Sequence, residues 1–295
     1  MLSLEQLGAL LQQEPAAAGA PVREFALGGH TFASNTRPAL MGVLNLSADS
    51  WYRESVKLTT ESAIRRGRVL HEQGADIVDV GAESTLAQAA RADEAAQNSR
   101  LLPVVRALSE AGIVVSVETY HPAVTQACLA AGARVLNLTG AAPDPELYRM
   151  VADHDAAVIL CYVEGRNVRE VGDLDLSGDP IARMRDYFAR ELDAAGAQGV
   201  TKLWIDPGMG FYYRNLQDSA QRVRHQMRVF LNTFRLRPLG VPICHALPHA
   251  FEYFGEEVRC AEPFFAVLAA LGGAHLFRTH EVPRVKAVLD TLALL

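Results

Sequence analysis

Residues 76–82 read Asp-Ile-Val-Asp-Val-Gly-Ala, a short β-branched apolar run with one carboxylate, Asp79, in its middle. Before it, residues 60–73 have helical periodicity and stop at Gly74, a residue that accepts the left-handed conformation wanted after a helix. After it, the polar Glu83-Ser84-Thr85 leads into a second helical segment at 93–110, followed by Gly112. A short apolar run between two such segments is the mark of a parallel strand buried on both faces by crossover helices. The unit recurs in both directions. Strands are expected at 39–46, 113–119, 135–139, 157–163, 202–206, 241–245 and 274–279, and helices at 122–131, 144–153, 179–195, 216–233, 260–271 and 282–294. Gly132 and Gly196 are further helix-ending glycines, and Pro122 suits a first helical position.

Eight β and eight α units in 295 residues predict an α/β chain closed into a (β/α)8 TIM barrel, because closing a parallel sheet on itself removes both of its edges. An open doubly wound sheet is the alternative, but no Gly-x-Gly-x-x-Gly follows the first strand, where a dinucleotide fold needs one. Gly28-Gly29, between residues 24–27 and 30–32, reads as a hairpin turn capping the barrel floor. The expected organisation is a helix-and-hairpin extension over 1–36 and one barrel over 37–295.

The composition, 49% hydrophobic and 21% charged, is that of a globular protein, and the net charge of −6 repels a phosphate backbone, so nucleic acid is excluded as a partner. Cys128, Cys161, Cys244 and Cys260 form no Cys-x-x-Cys pair and sit mostly in apolar runs, which suits reduced thiols in a cytoplasm. The N-terminus carries Glu5 early and has no basic segment followed by an apolar one, and no apolar run reaches eighteen residues. Neither export nor a membrane partner is expected.

In a barrel of this kind the catalytic groups come from the C-terminal ends of the strands. Those ends offer Asn45, Ser47, Asp49 and Ser50; Asp79, Glu83, Ser84 and Thr85; Glu118 and Thr119; Asn137 and Thr139; Asp206 before Pro207-Gly208; His245 and His249; and Arg278 and His280. Asp79, Glu118 and Asp206 would be costly to bury without a donor-rich partner. A flat heterocycle with a guanidine-like edge supplies adjacent N–H donors for a carboxylate, with Asn137 serving a neighbouring position. Arg278 and His280, two apart on the last strand, suit an anion, so the mouth reads as bipolar. Asp79 reads equally well as a satisfied core carboxylate. Trp51 and Tyr52, on the first loop, suit a lid. A zinc reading of Cys244, His245 and His249 is set aside, because Pro248 interrupts any helix aligning them and no further ligand has diagnostic spacing.

From about residue 38 to 282 these motifs together resemble the dihydropteroate synthases and the wider pterin-binding barrel family. Met41-Gly42-Val43-Leu44-Asn45 with Ala48-Asp49-Ser50-Trp51 is similar to the family's opening, and residues 74–85 to its second motif. Asp206-Pro207-Gly208-Met209-Gly210-Phe211 is similar to the sixth-strand motif, and Arg278-Thr279-His280-Glu281-Val282 to the closing one. The resemblance implies condensation of 6-hydroxymethyl-dihydropterin diphosphate with p-aminobenzoate, expelling diphosphate, in the folate pathway. It also implies that Glu118, Asn137 and Asp206 hold the pterin substrate, that Asn45, Arg278 and His280 grip the diphosphate with Mg²⁺ beside Asn45, that Thr85 lies near the second substrate, and that the protein is a homodimer.

The departures fall mainly on the acceptor side. Val117-Glu118-Thr119 replaces the family's Val-Asp-Thr, Thr85-Leu86-Ala87 replaces Thr-Arg-Pro, and Cys244-His245-Ala246-Leu247-Pro248-His249 stands where the family has Ser-Arg-Lys-Ser. The family lysine is missing, and His245 is the residue expected to replace part of its role. Two alternatives follow: a non-catalytic pterin-binding paralogue acting through a partner, and a pterin-dependent methyltransferase, which would have no need of Arg278 and His280 as an anion clamp.

Overall fold

The computed structural model describes residues 2–47, 59–83, 92–140, 144–167, 170–211 and 213–294. The chain begins with α1 (Leu4–Leu11), opened by a capping box between Ser3 and Gln6, and α2 (Pro15–Ala18). An antiparallel hairpin of β1 (Phe25–Leu27) and β2 (His30–Phe32) follows, turned by Gly28 and Gly29 at φ 57° and 81°, angles that only glycine adopts without strain.

Eight parallel strands come next: β3 (Ala39–Asn45), β4 (Ile77–Gly81), β5 (Val115–Glu118), β6 (Val135–Leu138), β7 (Ala157–Cys161), β8 (Leu203–Asp206), β9 (Cys244–Ala246) and β10 (Leu276–Thr279). They run in the order β8-β7-β6-β5-β4-β3-β10-β9, and Ile205 closes the ring by pairing with Ile243 and donating its N–H to the Pro242 carbonyl at 3.1 Å. The surrounding helices are α3 (Thr60–Glu72), α4 (Glu94–Glu110), α5 (Pro122–Ala130), α6 (Pro145–Asp153), α7 (Pro180–Ala197), α8 (Ser219–Asn232), α10 (Ala261–Leu271) and α11 (Val282–Leu292), with one short turn of helix, α9 (Phe251–Phe254), after β9. The expected TIM barrel is therefore the fold. Asp93 and Asp218, just before α4 and α8, each accept the N–H three residues on, closing helix starts that would otherwise leave donors unpaired.

Strand alternation sorts the apolar residues into two sets. Val78, Val80, Val115, Val117, Leu136, Leu138, Val158, Leu160, Leu203 and Ile205 face the helices. Ala39, Met41, Ile77, Val135, Ala157, Ile159, Trp204, Cys244 and Leu276 fill the barrel interior. The rings of Phe25 and Phe32 meet Trp204 edge-on at 4.7 and 5.2 Å, so the hairpin seals the floor with aromatic surface. The lower interior is thus apolar, which leaves its upper layer for chemistry.

Two local expectations shift. The strand expected at 241–245 is Cys244–Ala246, because after α8 the chain continues as a 3₁₀ turn over Thr233–Leu239, interrupted by Pro238 and reversed at Gly240 with φ 75°. Gly196 lies inside α7, and Gly199, at φ 87°, supplies the left-handed exit.

Candidate functional site

The interior alternation that begins with apolar residues ends, at the top of each strand, with Asn45, Asp79 and Gly81, Ser116 and Glu118, Asn137, Cys161, Asp206, Ala246 and Arg278. Ladder register sets Asn45 beside Gly81, Gly81 beside Glu118, Glu118 beside Asn137, Cys161 beside Asp206 and Arg278 beside Ala246. The small residues make room: a Cβ on Gly81 would lie 3.7 Å from Glu118 Oε2 and 3.8 Å from Asn45 Oδ1, so both oxygens face the space above that glycine.

Arg278 holds the layer together. Its Nε donates to Asp79 Oδ2 at 2.7 Å and its Nη2 to Glu118 Oε2 at 2.5 Å. Asp79 has no exposed surface and also accepts from Ser116 Oγ at 2.6 Å and Asn137 Nδ2 at 3.1 Å. It is the satisfied core carboxylate of the two readings open for it. Asn137 Oδ1 in turn accepts from the Cys161 thiol at 3.8 Å. Asp206 Oδ1 accepts the Gly208 N–H at 2.7 Å across a tight turn, with Gly208 at φ 77°; a Cβ there would overlap the Tyr162 carbonyl oxygen. The bipolar mouth needs correction, because the guanidinium lies among the carboxylates instead of apart from them.

One guanidinium cannot neutralise Asp79, Glu118 and Asp206 together, and a desolvated layer resists the surplus negative charge. Burial pushes Glu118 up to about 7 against the pull of Arg278, with Asp79, Glu83 and Asp206 adding to the rise. Burial likewise pushes Asp206 up to about 6, opposed by the Gly208 N–H and by Arg278. Burial also drives the Cys161 and Cys244 thiols well above their ordinary range, so both are neutral fillers. A ligand that offered N–H donors to Asp206 would need its ionised form. Its affinity should therefore rise with pH, by about tenfold for each unit below the Asp206 pKa, and level off above it. Calorimetric titration of a pterin between pH 5 and 8 checks this; affinity that falls with rising pH would contradict it.

His280 follows β10 and is held by Glu262 of α10, whose Oε1 lies 2.8 Å from His280 Nδ1. Glu262 Oε2 accepts from the Thr279 hydroxyl, and from the N–H groups of His280 at 2.9 Å and Glu281 at 3.1 Å. His249 Nε2 lies 3.3 Å from the same Oε1. Glu262 was not among the expected residues. Its one sequence signal is that it is the single charge in the otherwise apolar α10; that it is 1% exposed emerges only in the fold.

His245, expected at the mouth, is not there. Cys244 belongs to the interior set, so the next residue faces outward: His245 Nε2 lies 2.8 Å from Thr233 Oγ1, its ring meets Phe230 edge-on at 4.6 Å, and burial lowers its pKa to about 3. It cannot take over the work of a lysine inside the barrel. Thr85, Ser84, Asp49, Ser50, Trp51 and Tyr52 lie outside the described residues.

Comparison with known proteins matches residues 41–280 to the family described as pterin binding enzyme. The chain is 32% identical over 262 residues to the dihydropteroate synthase of Mycobacterium leprae (strain TN), covering 86% of this chain and 90% of that one. It is 29% identical over 258 residues to that of Synechocystis, covering 83% and 86%. Among solved structures, Xanthomonas albilineans dihydropteroate synthase with 4-aminobenzoic acid superposes with a TM-score of 0.76 at 29% identity, over 92% of this chain and 98% of that one. The same enzyme in complex with 7,8-dihydropteroate gives 0.73 at 27% identity, over 92% and 97%.

Proposed function

We propose a reaction for this barrel from one premise: the chain belongs to the pterin-binding enzyme family and is dihydropteroate synthase-like. The reaction is transfer of the dihydropterin-6-ylmethyl group of 6-hydroxymethyl-dihydropterin diphosphate to an aryl amine of the p-aminobenzoate type, within the folate pathway. The carbon–oxygen bond to diphosphate breaks, a carbon–nitrogen bond forms, and the amine gives up a proton. The observation that carries this reading is the gathering of Glu118, Asn137 and Asp206 at the C-terminal ends of the barrel strands, with Arg278 bonded to Glu118. Asp206 suits the amino-pyrimidine edge, because a carboxylate accepts two adjacent N–H donors in parallel. Asn137 and Glu118 flank the ring, with Glu118 one methylene longer than the family's aspartate. Arg278 and His280 are the groups proposed to receive the diphosphate, where charge develops as the bond breaks. Thr85 remains an expectation for the second substrate.

The donor chemistry at Asn45 fits a hard cation, since its amide oxygen shares the space above Gly81 with a Glu118 oxygen. Mg²⁺ held there by Asn45 would neutralise diphosphate charge. The free state of all four cysteines supports a reducing cytoplasm, and among the described residues no helix is long and apolar enough to cross a membrane. Homodimerisation is part of the same reading and is read out by sedimentation of the purified chain.

The second reading, a non-catalytic pterin binder, is favoured by one feature: Arg278 already commits its Nε and one Nη2 donor to Asp79 and Glu118. Incubation with the pterin diphosphate, Mg²⁺ and p-aminobenzoate separates the two. Diphosphate release with a pteroate product is expected; tight pterin binding without release selects the binder, and the absence of both binding and release overturns both readings.

A further inference from the structure

The His249, Glu262 and His280 cluster draws on three separate places in the fold: the loop after β9, the first turn of α10, and the residue following β10. We propose that these three side chains form a site for one divalent transition-metal ion of the zinc or cobalt kind, distinct from any Mg²⁺ at Asn45. Their ligand atoms all lie within 4.8 Å of one another, with Glu262 Oε1 at 2.8 Å from His280 Nδ1 and 3.3 Å from His249 Nε2. A tetrahedral ion with bonds of about 2.0–2.1 Å sets its ligands about 3.3 Å apart, the separation already found between Glu262 and His249.

The supports are already in position. Glu262 Oε2 is anchored by the Thr279 hydroxyl and by the His280 and Glu281 N–H groups, which leaves Oε1 as the oxygen both imidazoles address. The His249 ring stacks on Phe251 at 5.2 Å and 8°, which holds its plane. Such outer contacts fix ligand orientation in metal proteins. Two imidazoles and one carboxylate suit a borderline transition ion and disfavour Mg²⁺, which takes oxygen ligands and keeps its waters. Three protein ligands leave a fourth position for water or an anionic oxygen. An ion held by Nδ1 of His280 requires the ring proton on Nε2, and the Glu262 carboxylate offsets one of the ion's two charges.

The test uses the full chain, stripped with chelator and titrated with Co²⁺ and Zn²⁺. One Co²⁺ per chain with the intense visible absorption of four-coordinate cobalt is expected, displaced by one equivalent of Zn²⁺ and untouched by excess Mg²⁺. His249→Ala and the milder His249→Gln should each weaken Zn²⁺ binding by about 30-fold or more. Zn²⁺ should raise the melting temperature of the parent chain but not of these variants. Absence of a one-to-one cobalt band in the parent chain, or Zn²⁺ binding of undiminished affinity in His249→Gln, overturns the proposal. Melting curves recorded without metal report whether either variant folds.

Discussion

Arg278→Met should cost this protein about 3–5 kcal/mol of folding stability, because it removes the cation to which two carboxylates of this layer are bonded. Asp79 is fully buried and the Glu118 side chain is 10% exposed, so neither can recover its lost bond from water. The deficit should also grow with pH. Glu118 ordinarily titrates near 4.5 and is raised to about 7 in the folded chain, with Arg278 as the group that restrains the rise. A carboxyl whose pKa is raised by folding binds its proton more tightly in the native state, so stability falls as pH climbs from the unfolded value through the folded one. Without Arg278 that span widens, and urea unfolding at pH 8 should show a larger loss than at pH 5. Adding Glu118→Gln to Arg278→Met should restore part of the stability by removing one of the stranded charges. If Arg278→Met abolished diphosphate release but left the unfolding free energy unchanged at both pH values, the ion pairs would be dispensable and Arg278 would be an anion ligand alone.

Asp206→Asn should act in the opposite sense on stability and binding. The amide still accepts the Gly208 N–H but carries no charge to desolvate, so the variant should be no less stable than the parent chain at pH 8. Its NH₂ group would then confront the donor edge of a pterin. The loss of a charge-assisted pair is worth about 2–3 kcal/mol, which corresponds to about 30–150-fold in affinity. Calorimetry with a pterin, alongside urea unfolding, reads both quantities on one sample. Unchanged affinity would remove Asp206 from the ring-binding role. The pH dependence argued for the parent chain should flatten in the variant, because the titrating group is gone.

Most of the barrel was legible in the linear chain. Strand periodicity, crossover helices and glycine stops located all eight parallel strands, β9 being the one displaced, by up to three residues. That displacement changed the reading of His245. Ending the strand on His245 assumed that the last residue faces the mouth, whereas the inward position of Cys244 turns its neighbour outward toward Thr233. The gathering of Asn45, Glu118, Asn137, Asp206 and Arg278 at the strand ends followed from the same alternation. The role of Glu262 did not, since a lone carboxylate on a helix reveals its partners only when the helix is docked against the strand that follows it.

Periodicity, turn residues and the parity of each strand are matters between near neighbours, and they specify the eightfold alternation with its apolar floor and polar rim without reference to the rest of the molecule. Charge pairing belongs to the closed barrel. Arg278 meets Asp79 across 199 residues of chain and Glu118 across 160, and His249, Glu262 and His280 converge from separate elements. Coulomb attraction and desolvation depend on distance in space, and closing the ring is what brings these groups within a few ångströms of one another.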